Sequence, residues 1–140
     1  MISKKQGWPK ILNQWQSDSQ DIKFEWGKHD CCLATCSGIE KITGVDPAKE
    51  FRGTYATEDG AREIIKANGG SVDSLSSGVF KAFGMFEIMP LVAGRGDPVL
   101  FEFDGRQTLG LCYGIKSLVV SEKGGLLIDT DKGIKAWRLP

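Results

Sequence analysis

The second half of the chain carries a pattern that a sheet satisfies and a helix does not. Pro98–Phe103, Leu109–Tyr113, Leu118–Ser121, Leu126–Asp129 and Ile134–Trp137 are short, apolar and β-prone. Turn-forming residues separate them: Asp104-Gly105, Gly114, Gly124-Gly125 and Lys132-Gly133. The first half has the other period. Trp8, Ile11, Leu12 and Trp15 recur at helical spacing, so a short amphipathic helix opens the chain. Lys23–Gly27 alternates and stops at a glycine, as an extended approach to a turn. Asp30 is a good N-cap for a helix from Cys31 to Ile42, unbroken until Gly44. Thr57 caps a third helix through Ala67, with Glu58 and Asp59 suiting its first turn and Asn68-Gly69 its end. Leu75, Val79 and Phe83 space a fourth over Leu75–Phe83. Helices first and strands second predict one α+β domain over residues 1–140, with N-terminal helices packed on a C-terminal antiparallel sheet of about five strands.

Composition narrows the function classes. A chain of 140 residues buries roughly 68–70% of the surface its unfolded form exposes, enough for an ordinary core. Eighteen basic residues balance eighteen acidic ones, so bulk charge steers it to neither nucleic acid nor anionic lipid. No stretch approaches the ~18 apolar residues of a membrane span, and Met1 to Lys10 lack the apolar run of a secretory signal. The expectation is synthesis in a cytoplasm. Three of the four cysteines (Cys31, Cys32, Cys36 and Cys112) crowd into six residues, unlike a disulfide framework spread along a secreted chain. Reduced thiols are expected.

The stretch from Phe24 to Cys32, FEWGKHDCC, holds the most chemistry. A cysteine in the first turn of a helix faces unpaired backbone N–H groups and the positive end of the macrodipole, and both favour thiolate. The same N–H groups can hold an oxyanion on an attacked carbonyl. Gly27 lets the backbone turn tightly ahead of the site. Against this stands the plainer role of cysteine as a small buried hydrophobe. It is the reading adopted for Cys32 and Cys36, which share a helix face, and for Cys112 inside an apolar strand. His29 is the sole histidine. Two residues from Cys31, it is a candidate base, or a conformational or binding element of the loop. A metal reading of these ligands fits poorly: adjacent cysteines followed by a three-residue gap are not paired knuckles, and a helix points Cys31 and Cys32 about 100° apart. Neither metal nor cofactor is expected.

The junction resembles that of NlpC-type, papain-like cysteine hydrolases, in which an aromatic-x-x-Gly segment leads into Asp-Cys at the start of the main helix. Arg95-Gly96-Asp97-Pro98-Val99-Leu100-Phe101 resembles that superfamily's Gly-Asp strand opening, and Thr108-Leu109-Gly110-Leu111-Cys112-Tyr113-Gly114 the strand that follows. A closer likeness is to an uncharacterised phage tail-assembly family sharing Trp-Gly-x-x-Asp-Cys (Trp26 to Cys31), Arg-Gly-x-Tyr (Arg52, Gly53, Tyr55) and a closing Ala-Trp-Arg (Ala136, Trp137, Arg138). The resemblance implies an NlpC-like fold with Cys31 as nucleophile and Asp30 beside it. It also implies a place in the virion tail among hub or distal tail proteins, and peptidoglycan peptide as the substrate of fully equipped relatives. One position departs. Active relatives carry histidine where this chain has Thr108, which accepts no proton at neutral pH. A degenerate site is therefore expected, the alternatives being a hydrolase with His29 as unconventional base or a metal-binding tail protein. Asp129 is the acid to watch as an orienting third residue. Trp26, Asp30, Arg52, Tyr55 and Thr108 are candidate binding residues, although a structural turn is preferred for the Arg52–Tyr55 element.

Overall fold

A computed structural model describes residues 2–140, among which four α-helices precede a six-stranded antiparallel sheet. Each helix begins where its local chemistry allows. Helix α1 (Trp8–Ser19) starts with Pro9 in its first turn and buries Leu12 and Trp15. Helix α2 (Cys31–Thr43) is capped by Asp30, whose side chain accepts the Leu33 N–H, and it ends at Gly44 in the left-handed conformation. Helix α3 (Glu58–Ala67) is capped by Thr57 through the Gly60 N–H. Helix α4 (Val72–Ala82) begins three residues earlier than apolar spacing predicts, because the Ser71 hydroxyl accepts the Ser74 N–H as its cap.

The strands are β1 (Phe86–Ile88), β2 (Pro98–Phe103), β3 (Arg106–Cys112), β4 (Lys116–Ser121), β5 (Gly124–Asp129) and β6 (Lys135–Arg138). Their order across the sheet is β1-β6-β2-β3-β4-β5. The β2–β3 hairpin turns on Asp104-Gly105, both at positive φ, as a two-residue loop between twisted strands requires. The β4–β5 hairpin turns on Glu122-Lys123, so Gly124-Gly125 belong to the strand and not to the turn. Strand β1 was not anticipated. It is three residues long and pairs only with β6, some fifty positions on.

Alternation along β2 separates two apolar layers. Leu100 faces the helices and joins Leu12, Leu33, Ile39, Phe80 and Trp137 in the main core. Val99 and Phe101 face the other way and meet Cys112, Val119 and Ala136. Cys36 and Cys112 are buried, as expected. Helix α2 lies close on both α1 and β3 because it carries Gly38 at the crossing, where any Cβ would press on Leu111 and Trp15. The closing indole, Trp137, is 2% exposed and edge-on to Phe80.

Asp97 ties the Gly-Asp segment to the Ala-Trp-Arg segment. Its buried carboxylate accepts the Gly94 N–H at 2.8 Å and the Leu139 N–H at 2.9 Å, with Arg138 Nε at 3.5 Å. The two motifs are thus one lock between the start of β2 and the end of β6. Among the described residues no helix is long and apolar enough to cross a membrane.

Replacing Asp97 by Ala leaves two amides without their acceptor and takes the nearby carboxylate away from Arg138. Urea denaturation of Asp97→Ala is expected to show a loss of about 3 kcal/mol, with the Cys31 thiol reactivity unchanged until unfolding.

Candidate active site

The junction ahead of α2 is built around the Asp30 carboxylate, which is 2% exposed. One oxygen accepts the Leu33 N–H at 2.9 Å; the other accepts the Gly27 N–H at 3.2 Å and the Tyr55 hydroxyl. Gly27 has φ +83°, and a Cβ there would collide with the Tyr55 carbonyl. No other residue fits. Its own carbonyl accepts the Gly53 N–H at 2.9 Å. Arg52 grips Asp46 with Nε at 2.8 Å and Nη2 at 3.1 Å, and also reaches the carbonyls of Lys28 and Leu33. The Trp-Gly-x-x-Asp-Cys and Arg-Gly-x-Tyr motifs are therefore two halves of one brace.

What the brace positions is Cys31. The residue is half-buried and opens on a groove of about 760 Å³. Trp26, Tyr55 and Cys32 line it from the helical side and Thr108 from the sheet, with Asp30 at its base. The Cys31 sulfur lies 3.8 Å from that of Cys32, and Thr108 and Leu109 on β3, which can donate to it, line the same groove. The Cys32 thiol, followed by these two donors, brings the Cys31 pKa down to about 7, against the opposing effects of burial and the nearby Asp30 charge. Cys32 moves the other way: donation to its neighbour and burial hold it protonated. The thiolate form of Cys31 is thus favoured mainly by neutral donors.

Four expectations are revised by this geometry. Cys32 is not a core residue; it packs against the core edge and lines the groove. His29 is 4% exposed and turned toward α1, its ring edge-on to Trp15, where burial lowers its pKa. Among the described residues no hydrogen bond joins His29 to Cys31, so it is not placed to be the base. Asp129 sits at the C-terminal end of β5 in an ion pair with Lys116, which lowers its pKa, and it does not line the groove. Arg52 is committed to Asp46 and the junction backbone, and does not line the groove either. Tyr55 lines the groove, but its hydroxyl belongs to Asp30, and burial followed by that bond raises its pKa. Among the described residues no group of three or more His, Cys, Asp or Glu side chains is arranged to hold a metal. Sequence reasoning missed Cys32 as a donor and the Leu109 amide. The doubled cysteine was the only signal for the first, and nothing local marks the second.

Alkylation by iodoacetamide followed against pH is expected to give a Cys31 midpoint near 7. In Cys32→Ala the midpoint is expected to rise toward the free-cysteine value of about 8.5. An unchanged midpoint in that variant would show that Cys32 does not stabilise the thiolate.

No curated protein matches the chain. Over residues 3–139 it matches the family described as Domain of unknown function (DUF6950), and the chain belongs to that family.

Proposed function

We propose that the protein is a phage or prophage tail-tip or tail-assembly component, built on an NlpC-like, papain-like scaffold whose hydrolytic site is degenerate. One observation carries the reading. Beside Cys31 in the groove, the β3 position at which active relatives carry histidine holds Thr108. A hydrolytic thiol of this kind needs a base that takes its proton and later returns it to the leaving amine. The threonine hydroxyl can donate a hydrogen bond to a thiolate, but it does neither of those things. Further support comes from the cysteine at a helix N-terminus, laid against the second strand of a hairpin beside an open groove. Hub or distal tail proteins are the proposed partners, and the virion tail is the proposed location after synthesis in the bacterial cytoplasm.

The lowered pKa of Cys31 supports a second reading, an active peptidoglycan peptide hydrolase. Attack by a ready thiolate on the amide carbon, with first-turn N–H groups holding the oxyanion, needs no base at that step. It still lacks an acid for the departing amine.

Incubation with peptidoglycan fragments separates the two. The native protein is expected to release no peptide above blank. Thr108→His, which places an imidazole beside the thiol, is expected to gain cleavage that Cys31→Ala abolishes. Robust cleavage by the native protein, lost in Cys31→Ala, would end the degenerate reading. The tail assignment is tested separately, by mass spectrometry of purified particles from the strain that carries the gene. Peptides of the chain are expected in the tail fraction, and their absence from assembled and assembling tails would sink it.

A further inference from the structure

Two features at the floor of the groove remain unused by the proposed function. The Cys31 and Cys32 sulfurs lie 3.8 Å apart, although adjacent helical side chains diverge by about 100°. Both also line the groove and are partly exposed, whereas Cys36 borders it at 5% exposure and Cys112 is fully buried. We propose that Cys31 and Cys32 form a reversible oxidation site, in which a hydroperoxide converts Cys31 to a sulfenic acid and Cys32 closes a disulfide onto it.

The two steps balance. In the first, the Cys31 thiolate sulfur attacks one peroxide oxygen and the O–O bond breaks. The sulfur keeps that oxygen as S–OH, and the other oxygen leaves, once protonated, as water or an alcohol. In the second, the Cys32 sulfur attacks the Cys31 sulfur and the S–O bond breaks. The departing oxygen takes the Cys32 thiol proton and leaves as water. Two thiols lose two electrons and the peroxide gains them. Attack needs a thiolate that the oxidant can reach, and Cys31 is partly exposed, lines the groove and is stabilised as thiolate. Resolution needs a second sulfur in contact, and Cys32 supplies it. Cys36 is a poor competitor, because it is 5% exposed and, among the described residues, no hydrogen bond joins its sulfur to that of Cys31. Cys112 lies in the apolar layer on the far face of the sheet.

Ring closure has a cost that sets its character. Adjacent Cα atoms are about 3.8 Å apart across a trans peptide, below the usual 4.4 Å minimum for a disulfide. The Cys31–Cys32 peptide must therefore twist. The start of a helix is where that is easiest, since first-turn N–H groups have no intrahelical acceptor. The Asp30 cap holds Gly27 and Leu33, on either side of the pair, so the anchor survives the twist. A strained disulfide is easily reduced, which makes the oxidised state temporary. While it lasts, the groove holds no nucleophile. The proposal rests on the sulfur geometry and stands whether or not the groove admits a peptide.

The test uses the folded full chain, reduced, freed of reductant and exposed to equimolar hydrogen peroxide before alkylation and tryptic digestion. The peptide His29–Lys41 carries Cys31, Cys32 and Cys36 together, so fragmentation assigns the link. That peptide is expected to be lighter by two hydrogen atoms, with Cys36 and Cys112 alkylated, and to be restored by dithiothreitol. Cys36→Ser is expected to keep the change. Cys32→Ser is expected to lose it and to yield a dimedone adduct of the sulfenic acid at Cys31. The idea fails if Cys36→Ser abolishes the change, if Cys31 proceeds to sulfinic acid with Cys32 still free, or if Cys36 and Cys112 oxidise as fast as Cys31.

Discussion

The Asp30 carboxylate is the interaction on which the rest of the site depends. A charge buried this deeply is tolerable only when donors surround it, and here two amides and a phenol do so at the positive end of a helix. Through those bonds it starts α2, fixes the Gly27 turn and seats Tyr55. The position of the Cys31 sulfur follows from all three. The same charge disfavours a second negative charge nearby, and it pulls the Cys31 pKa upward. The Cys31 pKa nonetheless falls, because Cys32, Thr108 and Leu109 outweigh that repulsion together with burial. The site is a balance between an anchor that works against the nucleophile and neutral donors that work for it.

Much of this architecture was legible from short-range chemistry. Asp30, Thr57 and the Asp104-Gly105 turn each act on residues within a few positions, so sequence reveals them. What was hidden depends on partners far along the chain. Strand β1 exists because β6 lies beside it, and Phe86–Ile88 alone is too short to announce a strand. Arg52 reads as a structural turn residue or as a cleft residue, and only Asp46 and two junction carbonyls, which claim its donors, decide between the two. His29 reads as a base because it is near Cys31 in sequence, yet the backbone doubles back between Glu25 and His29 and turns the ring toward α1. Asp129 has the right residue type on a late strand, but Lys116 on the paired strand takes it. Thr108 lies on β3 beside the groove, in a hairpin whose register is fixed by its own two-residue turn.

A thiolate held by neutral donors differs from one held by an imidazolium. The imidazolium is both a counter-charge and a stored proton, and amide turnover consumes that proton when the amine departs. The Cys32 thiol, the Thr108 hydroxyl and the Leu109 amide offer hydrogen bonds but only a weakly acidic proton. Such a site favours capture of an electrophile over repeated release of an amine. This asymmetry links the tail-component reading with the sulfur chemistry of the groove.

The sheet order has a consequence for how the molecule is made. Strand β6, the last in sequence, occupies the seam between β1 and β2. Until it arrives, β1 has no neighbour and the flank of β2 lies bare, so the growing chain cannot finish its sheet strand by strand. Pairings this distant in sequence delay folding, because a long loop must close before any bond rewards the closure. During biosynthesis the apolar flank of β2 would stand open to rival strands, which marks that interval as the one in which a chaperone or a waiting assembly partner matters most.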